Sequence, residues 1–219
     1  MIAENIISNS LVHLHIDDTI AQALTIMHIN YVKHLPVISG NKLLGIASEE
    51  MLLKFDETKT LKEFPLEGVA ISAKVDDHIF ELLGKIIENR LTSLPILDLN
   101  GNYAGLVSQE DLLKTFAHSF SIGKTGSLLV LEVNRRSYSL TQISRIVELE
   151  NASIISSFIT EIEESVNILV TLKINSVDIQ SIIRAFDRYD YEVRATYAEK
   201  EVMDNLKERY DSLMKFLNV

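Results

Sequence analysis

Few residues in this 219-residue chain have types and spacings that could do chemistry, and most of them fall in pairs. His13 and His15 stand two apart, which puts both imidazoles on one face of a strand, where they could share a metal ion. Two imidazoles with no acid or thiolate beside them make an incomplete site, and an ordinary polar strand face accounts for them equally well. The acid pairs Asp17-Asp18, Asp76-Asp77 and Glu163-Glu164 sit at helix starts or turns, where capping explains them without acid–base catalysis. Ser108 and Asp111 form Ser-x-x-Asp, a capping-box variant in which hydroxyl and carboxylate serve the first amides of a helix. Gly123-Lys124-Thr125 imitates the end of a phosphate-binding loop. The first glycine of that motif would fall at His118, and the segment precedes a strand, so a hinge is expected there. His28, His34, His78 and His118 show no pairing at ligand spacing. G-x-S-x-G, H-E-x-x-H and G-x-G-x-x-G are all missing, and with no cysteine there is no thiol catalysis, disulfide or zinc thiolate centre. An enzyme is not expected, and neither a required cofactor nor a metal.

The bulk properties narrow the class further. A net charge of −10 opposes nucleic-acid binding, which needs a basic face toward phosphates. Hydrophobic residues at 47% and charged residues at 24% describe a globular chain and not a disordered one. No run approaches the ~20 apolar residues of a membrane span. The first residues, Met1-Ile2-Ala3-Glu4-Asn5, lack the basic and apolar regions of a signal peptide. A cytoplasmic protein, away from membranes, is the expectation.

The elements that must position these residues are written twice. Asp17-Asp18-Thr19-Ile20 is answered by Asp76-Asp77-His78-Ile79, and Leu35-Pro36-Val37-Ile38 by Leu94-Pro95-Ile96-Leu97, both at an offset of 59. After one inserted residue, Gly45-Ile46-Ala47-Ser48 meets Gly105-Leu106-Val107-Ser108. Each copy reads as strand, helix, strand, strand, helix. The leading strands are expected at 11–14 and 69–73, and the central pairs at 35–39 with 43–47 and 94–98 with 103–107. The first helices, with Asp17 or Asp18 as cap of the earlier one, bury Ile20, Ala23, Leu24, Met27 and Tyr31, or Ile79, Leu82, Leu83, Ile86 and Ile87. The second helices open at Ser48 and Ser108. Each copy alone is too small to bury a core, so the two are expected to pack on each other around a cleft.

That order, with Lys33-His34-Leu35-Pro36-Val37 before the turn and Gly105 through Asp111 after it, resembles a tandem pair of CBS domains over about residues 1–118, the repeats falling at about 1–58 and 59–118. The resemblance implies a disc-like module that commonly dimerises and often binds an adenosine-containing ligand in its cleft. It implies further that a Gly, two apolar residues, Ser or Thr, two variable residues and Asp address the phosphate and ribose. An aspartate suits that role because one carboxylate accepts from both ribose hydroxyls. Ser108 and Asp111 keep the signature; in the first copy Gly45 and Ser48 remain but Met51 takes the Asp position, and a thioether cannot substitute. By the same resemblance Ile71, Ser72 and Leu94 complete the second-repeat site. AMP, another adenine nucleotide or S-adenosylmethionine would be the regulatory ligand. Glu49, Glu50 and Glu110 repel phosphates, and Lys33, Lys74, Arg90 and Lys114 offset them only partly, which favours a mononucleotide or nucleoside over a triphosphate.

Residues 119–127 read as a linker. Residues 128–198 then give β-α-β-β-α-β, the ferredoxin-like plan, with strands expected at 128–133, 154–162, 168–174 and 191–197 and helices at 140–150 and 177–189. After a CBS pair this resembles an ACT domain. Tyr138 stands where an amino-acid-binding member has Gly, so the resemblance implies an assembly domain without such a site, or one of altered specificity. Residues 199–219 form a charged helix with Val202, Leu206, Tyr210, Leu213 and Leu217 along one side, packed back on its own domain or forming a dimer contact. The whole is an α+β chain that resembles acetoin-utilisation accessory-type proteins. It reads as a homodimeric sensor acting on an unknown protein, or as a ligand-free assembly module whose clefts are filled by side chains.

Overall fold

The computed structural model describes residues 1–7, 13–66 and 71–197. It divides into two compact units, Met1–Phe116 and Ala117–Val219. The expected C-terminal helix at 199–219, and the parts of the leading strands at 11–12 and 69–70, lie outside the described residues.

The first unit is built from two copies of one sheet. In the first copy β1 (Leu14–His15) runs parallel to β2 (His34–Ser39), which pairs antiparallel with β3 (Lys42–Ser48); α1 (Ile20–Ile29) connects β1 to β2, and α2 (Glu49–Leu52) follows. In the second, β4 (Ala73–Lys74), β5 (Ser93–Leu97) and β6 (Tyr103–Ser108) repeat that order, with α3 (Ile79–Glu88) and α4 (Gln109–Ser119).

Two expectations about the helices need correcting. The cap of α1 is Thr19, whose hydroxyl accepts from the Gln22 amide while the Gln22 side chain accepts from Thr19 N–H. Asp18 instead accepts from His15 N–H at 2.7 Å and closes the preceding turn; Asp77 does the same with Lys74 N–H at 3.0 Å. Asp17 lies outside the turn and pairs with Lys62. Tyr31 and Ile87 do not join the buried stripes: Tyr31 follows the helix end at φ 54 and is 92% exposed, and Ile87 lies on the flank of α3. Ile20, Ala23 and Met27, like Ile79, Leu82 and Ile86, are buried as expected.

The two cores borrow from one another. Leu106 of β6 packs in the core of the first copy, and its counterpart Ile46 of β3 packs against that of the second. The chain's opening turn, Ala3–Asn5, belongs to the second copy, with Ala3 fully buried and its N–H donating to Asp77 O. The 3-10 turn Leu61–Glu63 belongs to the first, where Leu61 is buried and donates its N–H to Asp18 O.

The second unit realises the β-α-β-β-α-β plan. Its sheet contains β7 (Ser127–Asn134), β8 (Ile154–Glu161), β9 (Asn167–Ile174) and β10 (Glu192–Tyr197), ordered β10-β7-β9-β8 and antiparallel throughout. α5 (Leu140–Leu149) and α6 (Gln180–Arg188) bury Ile143, Ile146, Val147, Ile182, Ala185 and Phe186 against Leu129, Leu131, Val170 and Leu172. Alternation along the strands sends those strand residues to the helices and leaves Leu128, Thr171 and Lys173 on the opposite face. Tyr138 packs its ring against the core ahead of α5.

Candidate functional site

The strand register of the second copy draws the expected site residues to one end of its sheet. Ala73 pairs with Ile96 and Lys74 with Leu97 in parallel, so Ile71 and Ser72, just ahead of β4, lie toward the end at which β5 begins. Leu94 pairs with Val107 and Ser93 with Ser108, which brings the start of α4 to the same end. Ser72 presents its carbonyl to the Lys85 ammonium at 3.0 Å. Leu94 is fully buried in the core, so only its backbone can face a ligand.

Ser108 and Asp111 close a capping box. Asp111 Oδ2 accepts from Ser108 N–H at 2.9 Å and from the Ser108 hydroxyl at 2.6 Å, while Ser108 Oγ accepts from Asp111 N–H at 3.1 Å. Among the described residues Oδ1 takes no hydrogen bond, and both side chains are half-buried. The first copy keeps half of this arrangement. Ser48 Oγ accepts from Met51 N–H at 3.3 Å, but the Met51 side chain returns no bond and packs against the core instead. α2 is four residues long against eleven in α4. Two of the nearby cations are already engaged with acids: Lys114 pairs with Glu110 at 2.6 Å, and Lys33 approaches Glu49 at 4.0 Å.

A cross-tie between the copies was not anticipated from the sequence. Thr92 Oγ1 accepts from Lys33 N–H at 2.8 Å and His34 N–H at 3.1 Å, and Ser93 Oγ donates to His34 O. In return Thr92 N–H donates to His34 Nδ1 at 3.2 Å, which leaves the ring proton of the neutral imidazole on Nε2. The signal was present: Lys33-His34 and Thr92-Ser93 occupy equivalent positions in the 59-residue repeat. A cavity of about 330 Å³ opens beside this tie, lined by Lys33, His34, Ser48, Glu49, Glu50 and Leu53. It lies in the first copy, where Met51 replaces the acid.

Burial holds the His34 imidazole below its ordinary value of 6.5, Lys33 lowers it further, and Glu49 opposes both. A histidine depressed by folding stabilises the protein above the unfolded value and loses that contribution as pH falls through the folded one. The urea midpoint is therefore expected to drop on acidification below pH 6.5, as Nδ1 gains a proton and can no longer accept from Thr92. His34→Gln should flatten the decline, and an identical decline in the variant would exclude His34 as its source.

The His13 and His15 rings meet with their Nε2 atoms 3.2 Å apart, and no third metal-ligating side chain joins them among the described residues. Lys124 lies in a turn, its N–H donating to Ser121 O, ahead of β7. No helix among the described residues is long and apolar enough to cross a membrane.

Comparison with known proteins finds matches to the first unit. Residues 3–57 and 67–118 each match the CBS domain. A homoserine O-acetyltransferase from Methanococcus vannielii is 31% identical over 125 residues, which cover 52% of this chain and 24% of the enzyme. The chain spans about a quarter of the length of the curated enzymes it matches. Among solved structures, a CBS domain pair/ACT domain protein from Thermotoga maritima is 19% identical, with a TM-score of 0.48, over 54% of this chain and 98% of that one. A CBS domain pair in complex with 5′-methylthioadenosine and S-adenosyl-L-methionine is 23% identical, with a TM-score of 0.46, over 54% of this chain and 97% of that one.

Proposed function

We propose that this chain, a tandem CBS domain pair over residues 3–57 and 67–118 followed by an α+β unit, is a regulatory protein that senses an adenosine-containing ligand through its second repeat. The observation that carries this reading is the difference between the copies at one position. Asp111 keeps a carboxylate at the start of α4, with Oδ1 unbonded among the described residues, whereas Met51 offers only a thioether packed into the core. A carboxylate so placed can accept from two vicinal ribose hydroxyls, and Ile71, Ser72 and the Leu94 backbone converge on the same end of the sheet to bound the base. The ligand is AMP, another adenine nucleotide or S-adenosylmethionine. The surrounding Glu49, Glu50 and Glu110, with Lys114 already paired, favour a ligand of low charge.

In this reading residues 128–198 form an ACT-like assembly domain and residues 1–118 the sensor. The protein works as a cytoplasmic homodimer of the acetoin-utilisation accessory type. Ligand occupancy shifts its dimer arrangement and so its hold on a protein partner, by no more than the ligand's differential affinity for the two arrangements. Catalysis forms no part of the proposal.

A second reading, a ligand-free assembly module, is favoured by one observation: Asp111 already spends Oδ2 on Ser108, so capping alone accounts for both residues. Calorimetric titration with AMP, ADP, ATP, S-adenosylmethionine and NADH separates the two. One site per chain is expected, weakened by about tenfold or more in Asp111→Ala because a charge-assisted bond pair is lost. No binding by any of these compounds would leave the assembly module. Binding undiminished in Asp111→Ala would place the ligand elsewhere.

A further inference from the structure

Lys173 is the one charged residue buried among the described residues, at 9% exposure. Its ammonium donates to Gly126 O at 3.0 Å, and no carboxylate lies within ion-pair distance among the described residues. An ammonium carries three donors and is costly to bury without an anion. Its position follows from strand alternation: Leu172 and Ile174 face the helices, and Lys173 faces the other side of the sheet, beside Leu128 and Ser156 in register.

That side of the sheet carries a cavity of about 560 Å³, lined by Phe120, Ile122, Leu128, Ser156, Phe158 and Lys173. The segment between α4 and β7 forms its wall. The Phe120 ring meets Phe158 edge to face at 5.8 Å, and Ser156 Oγ donates to Phe120 O at 3.0 Å, which pins that wall to β8. The volume falls in the range of small-molecule sites. Among the described residues, the lining side chains apart from the ammonium and one hydroxyl are hydrocarbon.

We infer that this cavity is a binding site for a monocarboxylate with an apolar body, its carboxylate on Lys173 and its chain against Phe120, Ile122, Leu128 and Phe158. A monoanion matches the single buried cation. A phosphate ester would bring more charge and more acceptors than one ammonium can serve, and an amine would place like charges together. The aromatic and aliphatic wall takes up the chain by the hydrophobic effect.

The test uses the full chain with octanoate, decanoate and 1-octanol as probes, read by calorimetry. Octanoate is expected to bind at one site per chain, and Lys173→Met to weaken it by about tenfold or more while leaving 1-octanol unchanged. Methionine is unbranched and one atom shorter than lysine; it removes the charge together with the bond to the Gly126 carbonyl and keeps an apolar side chain in the space. A second reporter guards against a folding artefact. The chain has no tryptophan, so Ile122→Trp at an exposed position on the rim provides a single tryptophan, excited selectively at wavelengths where tyrosine no longer absorbs. Octanoate should shift its emission to the blue, and the shift should vanish in the double variant with Lys173→Met. No octanoate binding in the parent, or equal binding in Lys173→Met, would overturn the inference.

Discussion

Gly126→Ala is expected to remove a large share of the stability of the C-terminal unit. Gly126 lies immediately before β7 at φ +145, a backbone conformation that residues with a Cβ rarely adopt. A Cβ there would stand 2.1 Å from the Ile174 carbonyl oxygen and 3.2 Å from its carbonyl carbon. Both are backbone atoms of β9, the strand paired with β7 on one side and β8 on the other, so the clash cannot be relieved by turning a side chain. Relief needs β7 and β9 to part near the Ser127–Ile174 pair, which also separates the Gly126 carbonyl from the Lys173 ammonium. Backbone strain and a lost buried polar contact together cost about 3 kcal/mol or more, a large share of the ~5–15 kcal/mol that holds an ordinary domain. Amide hydrogen exchange is the suitable readout, because a chain of two units need not unfold in one step. Protection should collapse across β7 and β9, and native-like protection there would show that the strands can yield after all.

Phe186→Ala should be nearly as damaging, for a different reason. Phe186 is fully exposed to other side chains and not at all to solvent, heads the large buried residues of the described chain, and meets Tyr191 edge to face at 5.6 Å. Truncation removes transfer energy and leaves a cavity between α6 and the sheet, costing about 3–5 kcal/mol. Phe186→Leu, which refills most of the space, should cost less than about 2 kcal/mol. Urea midpoints measured on both would separate them. Equal losses would point to the aromatic contact with Tyr191 and away from the volume.

The repeat and the β-α-β-β-α-β plan were legible because both depend on periodicity, which a single chain displays. Ile143, Ile146 and Val147 recur at helical spacing, and Leu129, Leu131 and Val133 alternate as a one-sided strand must; each set is buried where its pattern placed it. What escaped the sequence depends on which neighbour arrives. Asp18 looks like a cap, but Thr19 can exchange two hydrogen bonds with Gln22, and that reciprocal pair wins the helix start. Tyr31 continues the apolar spacing of α1, yet the helix has ended by then, and the backbone turns the ring outward. At the candidate site, Ser108 and Asp111 were visible as a motif, whereas the tie of Thr92 to Lys33 and His34 required knowing how the copies face each other. Lys173 between Leu172 and Ile174 reads as an ordinary solvent-facing lysine. The Phe120 segment, which the sequence marks as linker, lines the same cavity as that buried lysine.

The exchange of Ala3 and Leu61 between the two cores limits how this module can be dismantled. A cut at the sequence boundary near residue 58 leaves Ala3 in the fragment that does not need it and strips Leu61 from the one that does. Neither half then carries a complete interior, although each carries a complete copy of the repeat. Two such halves of one protein could still exchange the missing pieces across chains, and a hybrid with a repeat from another protein would have to match at both junctions. Grafting and recombination therefore have to treat the pair as indivisible, even though the sequence is written as two.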